Sequence, residues 1–432
     1  MNITEIEHSL ITHRYKGIPG GTPPFGLVDI GQQGWNILRQ DLPLPLGIIK
    51  QSALLHNSRW MQAFLNTTGV DLAPHGKTSM SPQLFKLQLD DGAWGITAAT
   101  VSQIQVYRDF GCTRIIMANQ LVGKQNIRYI LDELQRDETF DFYCLVDSVA
   151  GVEMLAQAVA NHPLTRPLQL LIEIGYLGGR TGCRDRQSAL QVARAVKKTD
   201  PHLALCGIEG FEGMIGAPNP TERDANVTAF LDEIAQVAQA CDQADLFSTD
   251  EIILTAGGSS FYDIVVQQFT QYDFSRPMRI VIRSGCYLTH DIKLYHHAFD
   301  AIQKRSAVVQ HLGKGLQPAI EVWSYVQSRP EPTRAYLTMG RRDCSSDAGL
   351  PLPQTWYSPT RHQQPIPLPT GYTITAVNDQ HAYLRLPADS PLQIGDMIGC
   401  GISHPCTTFD KWQLMPIVND AYDVVSAIRT YF

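Results

Sequence analysis

Eight short apolar, β-branched segments recur along the first two thirds of the chain, separated by longer amphipathic stretches. They are GVDLAPHGK (69–77), WGITAAT (94–100), RIIMAN (114–119), FYCLVDS (142–148), LQLLIEIG (168–175), LCGIEGFEG (205–213), EIILTAGGS (251–259) and RIVIRSGCY (279–287). Continuous runs of this kind read as strands buried on both faces. The intervening stretches read as helices, such as SPQLFKLQLDDG from Ser81 and SVAGVEMLAQAVANH from Ser148. Ser148 precedes the apolar periodicity and suits a helix N-cap. Strands alternating with helices imply parallel pairing through right-handed crossovers. Eight such units in about 240 residues match a (β/α)₈ barrel, with a doubly wound open sheet as the rival.

Beyond about residue 305 the pattern changes. Proline clusters at 329–332, 351–353 and 365–369 separate short alternating segments, TRAYLTMG, YTITAVN and HAYLRLP. Alternation with period two predicts a small antiparallel β-domain. The first 44 residues are rich in Gly and Pro, show no clear helix, and are expected to lie against that second domain. The expected division is therefore a barrel over 45–305 and a β-domain made of 1–44 with 306–432.

Composition narrows the classes. Of the 432 residues 44% are hydrophobic and 18% charged, and the net charge is −7, with no basic run that could serve nucleic acid. No stretch approaches roughly 18 apolar residues, and the start, MNITEIEHSLITHRYKG, has no apolar leader core. The nine cysteines are scattered and odd in number, which fits reduced thiols in a cytoplasmic protein.

Chemistry concentrates at the expected strand ends. Pro74-His75-Gly76-Lys77-Thr78 closes the first strand, at the face where a barrel keeps its site-forming loops. A lysine there is expected to be partly desolvated, which frees its amine for Schiff-base chemistry. A phosphate-loop reading of Gly76-Lys77-Thr78 fails, because Asp71 stands where that loop needs its first glycine. A lysine snorkelling from a strand end remains the plain alternative.

Thr255-Ala256-Gly257-Gly258-Ser259-Ser260 and Arg283-Ser284-Gly285-Cys286-Tyr287 follow strands seven and eight, the usual phosphate site of a barrel. Glycine lets backbone N–H groups approach an anion, and serine adds hydroxyl donors, although tight turns use the same residues. Arg180, in Gly178-Gly179-Arg180-Thr181-Gly182, is placed either to hold an anionic oxygen or to pair with a surface carboxylate.

In the second domain, Ser403-His404-Pro405-Cys406 sets an imidazole and a thiol two residues apart. On an extended chain these share a face, and Pro405 biases His404 to that conformation. The donor pair suits zinc better than magnesium or manganese, and two protein ligands leave a shell for water or substrate to complete. Cys400, in a strand context, reads as a packed core thiol.

Together these motifs resemble the D-serine dehydratase and D-threonine aldolase family of alanine-racemase-like, fold type III pyridoxal-phosphate enzymes. The resemblance also rests on Phe211-Glu212-Gly213, Gly340-Arg341-Arg342-Asp343, Asp347-Ala348-Gly349 and Asp379-Gln380-His381. It implies a barrel followed by a β-domain, a head-to-tail homodimer, and a D-amino acid as substrate. Lys77 would then be the Schiff-base lysine and Arg180 a contact to the cofactor ring oxygen. Gly258, Ser259, Gly285 and Cys286 would bind phosphate, with His75, Gly257 and Tyr287 completing the cofactor set. His404 and Cys406 would hold the metal. Aldolase members look to use His-x-Asp with a metal such as manganese, whereas His-x-Cys resembles the zinc-dependent dehydratases. Phe211 stands where many relatives carry tyrosine, and Met214 where many carry histidine.

The implied activity is dehydration of a D-3-hydroxy amino acid, D-serine giving pyruvate and ammonia. Retro-aldol cleavage of a D-threonine-like substrate is the runner-up, then an amino-acid racemase, then a non-catalytic cofactor-binding protein.

Overall fold

A computed structural model describes residues 1–432. The eight expected segments form parallel strands: β1 (Asp71–Leu72), β2 (Ile96–Ala98), β3 (Arg114–Gln120), β4 (Asp141–Val146), β5 (Leu168–Ile174), β6 (Leu203–Gly210), β7 (Ile252–Ala256) and β8 (Met278–Ile282). They neighbour one another in sequence order, and β8 returns to β1 through Val281–Asp71 and Ile282–Leu72. A bridge between His75 and Thr97 closes the ring, reinforced by Trp94 N–H donating to the Leu72 carbonyl at 2.8 Å. That closure rules out the doubly wound sheet.

The strands are mostly hydrophobic because both faces are largely buried. In β5, Leu168, Leu170, Ile172 and Ile174 point outward into the helix-covered core, while Leu171 points inward. The inner cluster also holds Ala73, Ile116, Leu145, Ile253 and Val281. Two glutamates break this pattern at the upper end of the ring. Glu173 and Glu209 are register partners on β5 and β6, and both are buried. Helices fall where the periodicity sets them, over Pro82–Asp90 and Val149–Ala160. Ser148 caps the latter, its Oγ accepting from Gly151 N–H at 3.2 Å.

The second domain is built on the long strand β9 (Ile320–Glu331), which pairs antiparallel with β10 (Arg334–Leu337) and β11 (Met397–Gly401). The expected segments over 373–377 and 382–385 pair antiparallel beside β10. The division expected at residue 45 is displaced. Leu46–Lys50 pairs with Ile320–Trp323 and, in parallel, with Ile417–Val418, so it lies inside the β-domain sheet. Its all-apolar face is buried by that sheet rather than by the barrel. The helix Ala307–His311, expected in the β-domain, instead packs beside the barrel helix Gln51–Thr68.

The N-terminal segment lies against the second domain, through the Asn36–Asp423 bridge and the 2.5 Å ion pair of Lys16 with Asp343. It carries a short helix, Thr4–Glu7, and a 3₁₀ stretch, Leu27–Gln33, that the Gly- and Pro-rich composition conceals. Cys400 is fully buried in β11, as a packed core thiol. No helix is long and apolar enough to cross a membrane.

Candidate active site

The short β1 runs into Pro74-His75-Gly76-Lys77-Thr78, where Gly76–Thr78 makes a single 3₁₀ turn. A Cβ on Gly76 would sit 2.5 Å from Tyr107 Oη, so only glycine lets this turn press onto the barrel. The turn lifts Lys77 to the rim of a cavity of about 310 Å³ at the C-terminal end of the ring. Lys77 is exposed there, so the partial desolvation expected of it is not found. Its neighbour His75 has an unpartnered buried Nδ1. Burial, then the charges of Lys77, Arg283 and Arg180, hold the His75 pKa well below its usual value, which keeps the ring neutral.

Opposite Lys77 stand the loops after β7 and β8. Gly257 and Gly258 do not offer their N–H groups to the cavity, because both donate to Glu212, at 3.0 and 2.9 Å. Glu212 is fully buried, and its carboxylate fixes the loop instead of a phosphate doing so. The amides of Ser259, Ser260, Gly285 and Cys286 have no partner within the chain. Ser259 Oγ and Ser284 Oγ lie 3.0 Å apart beside them. A Cβ on Gly285 would meet both the His75 carbonyl and Thr78 Oγ1 at 2.7 Å, so glycine here lets the β8 loop touch the lysine turn. Tyr287 does not join the site. It is buried in the core.

The cavity floor is charged. Arg283, 2% exposed, pairs with Glu209 and donates to Thr255 Oγ1 at 2.7 Å and to the Gly210 carbonyl at 3.1 Å. Burial pushes Glu209 up to about 7, with Arg283 opposing the rise. Neither residue stands out as a motif, yet the glutamates within otherwise apolar strands were the available signal. Glu173 accepts from Thr181 Oγ1 at 2.7 Å and so anchors the Arg180 loop. Arg180 lies over the Phe211 ring at 4.7 Å and has no carboxylate within ion-pair distance. Phe211 and Met214 both line the cavity.

The second domain supplies the remaining wall. The turn after β11 brings His404 and Cys406 to the cavity, but not by an extended chain. Pro405 has helical angles (φ −61°, ψ −47°) and Cys406 opens a one-turn helix, Cys406–Phe409. The two side chains line the same cavity all the same. His404 Nδ1 lies 2.7 Å from Asp347 Oδ2, and Thr407 Oγ1 donates to Asp347 Oδ1 at 2.6 Å. Burial lowers the His404 pKa, but Cys406 and Asp347 outweigh it and lift the value to about 9. Hydrogen bonding from Cys286 first, and then His404, holds Cys406 at about 4 against burial. Cys406 Sγ is 3.7 Å from Cys286 Sγ and 3.5 Å from Thr78 Oγ1. No three His, Cys, Asp or Glu side chains form a ready-made metal cage.

Lys77, His75, Arg180, Gly258, Ser259, Gly285, Cys286, His404 and Cys406 therefore line one cavity, while Gly257 and Tyr287 stay behind its wall. A closed parallel ring with an antiparallel second domain, and this cavity between them, defines an alanine-racemase-like fold. The D-threonine aldolase of Filomicrobium marinum superposes with a TM-score of 0.73 at 21% identity, over 92% of this chain and 97% of that one. The D-threo-3-hydroxyaspartate dehydratase of Delftia sp. HT23 gives 0.69 at 19%, over 92% and 99%.

Residues 319–418 match the putative serine dehydratase domain. The D-threonine aldolase of an Arthrobacter species is 24% identical over 366 residues, 84% of this chain and 86% of the relative. The 3-hydroxy-D-aspartate aldolase of Paracoccus denitrificans is 24% identical over 72% of this chain and 76% of its own length. The chain is thus similar to D-threonine and 3-hydroxy-D-aspartate aldolases over most of its length, and to the putative serine dehydratase domain over part of its second domain.

Proposed function

We propose that this protein is a pyridoxal-phosphate-dependent lyase that dehydrates and deaminates a D-3-hydroxy amino acid, D-serine-like, to a 2-oxo acid and ammonia, with zinc assisting. The carrying observation is the convergence of Lys77, four unpaired backbone amides and the His404–Cys406 pair on one cavity between the two domains.

The residues fit the cofactor. The amides of Ser259, Ser260, Gly285 and Cys286, with the N-terminus of the helix Tyr262–Phe269 behind them, suit a phosphate. Arg180 stays charged and can donate to a ring oxygen. Bound there, pyridoxal phosphate supplies the electron sink that makes an amino acid's α-proton removable. Lys77 Nζ would hold the cofactor and, once displaced from it by the substrate's amine, would be the base for that proton. The neutral His75 ring and the Arg283–Glu209 pair form the polar floor beneath.

The residues fit a metal as well. Asp347 occupies His404 Nδ1, which leaves Nε2 for an ion, the usual carboxylate–histidine–metal arrangement. Cys406 favours the thiolate, the form that binds metal. A bound zinc supplies Lewis-acid help to the departing 3-hydroxyl, which is otherwise a poor leaving group. Two variants of the Delftia dehydratase bear on this. One replaces a cysteine and is described as metal-free, and the other replaces a histidine two positions before that cysteine. The spacing equals that of His404 and Cys406.

The second reading is retro-aldol cleavage, favoured by the aldolase names of the Arthrobacter and Paracoccus relatives. The head-to-tail homodimer implied by the family resemblance belongs to the same proposal. The test is a panel of D- and L-serine, threonine and 3-hydroxyaspartate, assayed for 2-oxo acid, aldehyde and inverted product. 2-Oxo acid from D-forms alone supports dehydration. Aldehyde with glycine moves the assignment to an aldolase, and inversion moves it to a racemase.

A further inference from the structure

A second cavity, of about 520 Å³, meets the active-site cavity along Gly213, Met214 and Ser260, which line both. Met214 is 63% exposed, and its unbranched thioether can turn aside, so this border is movable. The ionisable groups lining the second cavity are all basic. Arg223 comes from the helix Pro220–Gln243, and Lys293 and His297 from the start of the helix Leu294–Arg305. No Asp or Glu lines it. The two permanent cations are also poorly compensated. Half-buried Lys293 donates through Nζ to the Leu350 carbonyl at 3.2 Å and has no carboxylate within ion-pair distance. Asp291, two residues before it, is turned to the backbone, accepting from the amides of Lys293 at 2.7 Å and Tyr295 at 3.2 Å. Arg223 reaches only Asp224, at 3.4 Å, and Arg305 claims the same carboxylate at 3.2 Å. The buried Nε of Arg223 has no partner at all.

We infer that this cavity is a substrate subsite for a carboxylate at the end of the side chain, with Lys293 and Arg223 as the residues that select it. The inference rests on the proposed function and adds the substrate's side chain to it. The D-3-hydroxy amino acid is then an acidic one, longer than serine, whose hydroxymethyl carries no charge for these groups to meet. An ammonium has three N–H donors and a guanidinium five, so both cations keep donors for a ligand. Partly desolvated cations attract an anion more strongly than fully hydrated ones do. A carboxylate entering past Met214 would meet two of them and no like charge. The chemistry at the α-carbon stays with Lys77 in the first cavity, and the second decides which side chain is drawn in.

The test compares kcat/KM of the holoenzyme for acid and amide of equal length, counting either 2-oxo acid or aldehyde as product. D-3-hydroxyaspartate is set against D-3-hydroxyasparagine, and D-3-hydroxyglutamate against D-3-hydroxyglutamine, with D-serine alongside. In at least one pair the acid is expected to lead by about 10-fold or more, as a charge-assisted hydrogen bond contributes. Lys293→Met or Arg223→Gln should remove most of that lead. Lys293→Arg should keep it, a rescue that follows charge and that a merely structural lysine would not show. Equal rates for acid and amide in both pairs overturn the inference, and so does a lead that survives Lys293→Met and Arg223→Gln alike. D-serine turnover under either of those outcomes leaves the proposed lyase standing. No turnover of any of the five overturns the lyase, and the subsite with it. The wild-type comparison decides the matter even if the variants do not fold.

Discussion

Asp347 Oδ2 stands 2.7 Å from His404 Nδ1, so the carboxylate fixes the ring and leaves a single nitrogen for another partner. Asp347 is held in turn by Thr407, one residue beyond Cys406. Partners of this kind orient a metal-binding histidine and raise its basicity. Asp347→Ala is expected to weaken zinc binding about 10- to 100-fold while leaving cofactor absorbance unchanged. Chelator competition on the holoenzyme measures the first and its visible spectrum the second. An unaltered zinc affinity would reduce the Asp347–His404 pair to a surface contact.

Lys77 is the only lysine lining the cavity that faces the unpaired amides. Borohydride treatment of the enzyme with pyridoxal phosphate is expected to leave a stable adduct on Lys77, located by peptide mapping. Lys77→Ala should lose the adduct and at least about 100-fold to 10,000-fold in kcat, the usual contribution of a positioned proton-transfer group. An adduct on another lysine would displace the proposed centre of the site.

Gly285 touches the lysine turn so closely that an added Cβ meets the His75 carbonyl and Thr78 Oγ1 at 2.7 Å. One contact is backbone and cannot rotate away. Gly285→Ala is expected to cost about 1–3 kcal/mol in urea unfolding, as overpacking does, and to weaken cofactor binding through displacement of the β8 loop. A variant as stable as wild type, with the same Kd for pyridoxal phosphate, would show that the loop yields.

Glu209 titrates near 7 in the folded chain against an ordinary 4.5, because burial disfavours its charge more than Arg283 favours it. The folded state therefore binds the proton more tightly than the unfolded one. This group's contribution to stability is present below about 4.5 and is lost as pH rises towards 7, on the order of 3 kcal/mol at most. The slope of unfolding free energy against pH for the cofactor-free protein, compared with Glu209→Gln, measures it. The variant, which cannot ionise, should be flatter between pH 4.5 and 7. Equal slopes would place the Glu209 titration elsewhere.

The strands of the ring were legible in the chain because most of their residues are buried on both faces and so read as largely apolar runs. Ser148 as a helix cap, Lys77 at the end of the first strand and the glycine turns after the last two were legible for the same local reason. Backbone chemistry leaves a residue-level trace in each case. The motif resemblance named the family from nine such fragments.

Long-range pairing left no comparable trace. Leu46–Lys50 looks like any apolar segment, and its membership of the second sheet rests on partners some 270 and 370 residues away. Glu212 carries nothing in its sequence context to say that it takes the amides of Gly257 and Gly258, which removes both from the phosphate set. The inward turn of Tyr287, the charged pair of Arg283 and Glu209, and the meeting of Cys286 with Cys406 across 120 residues are of the same kind. A residue's local neighbours set its backbone conformation and which face it takes. Which group it touches on that face depends on how the ring closes and how the second domain docks. Those are properties of the packed whole, because burial and hydrogen-bond satisfaction are settled between segments distant in the chain.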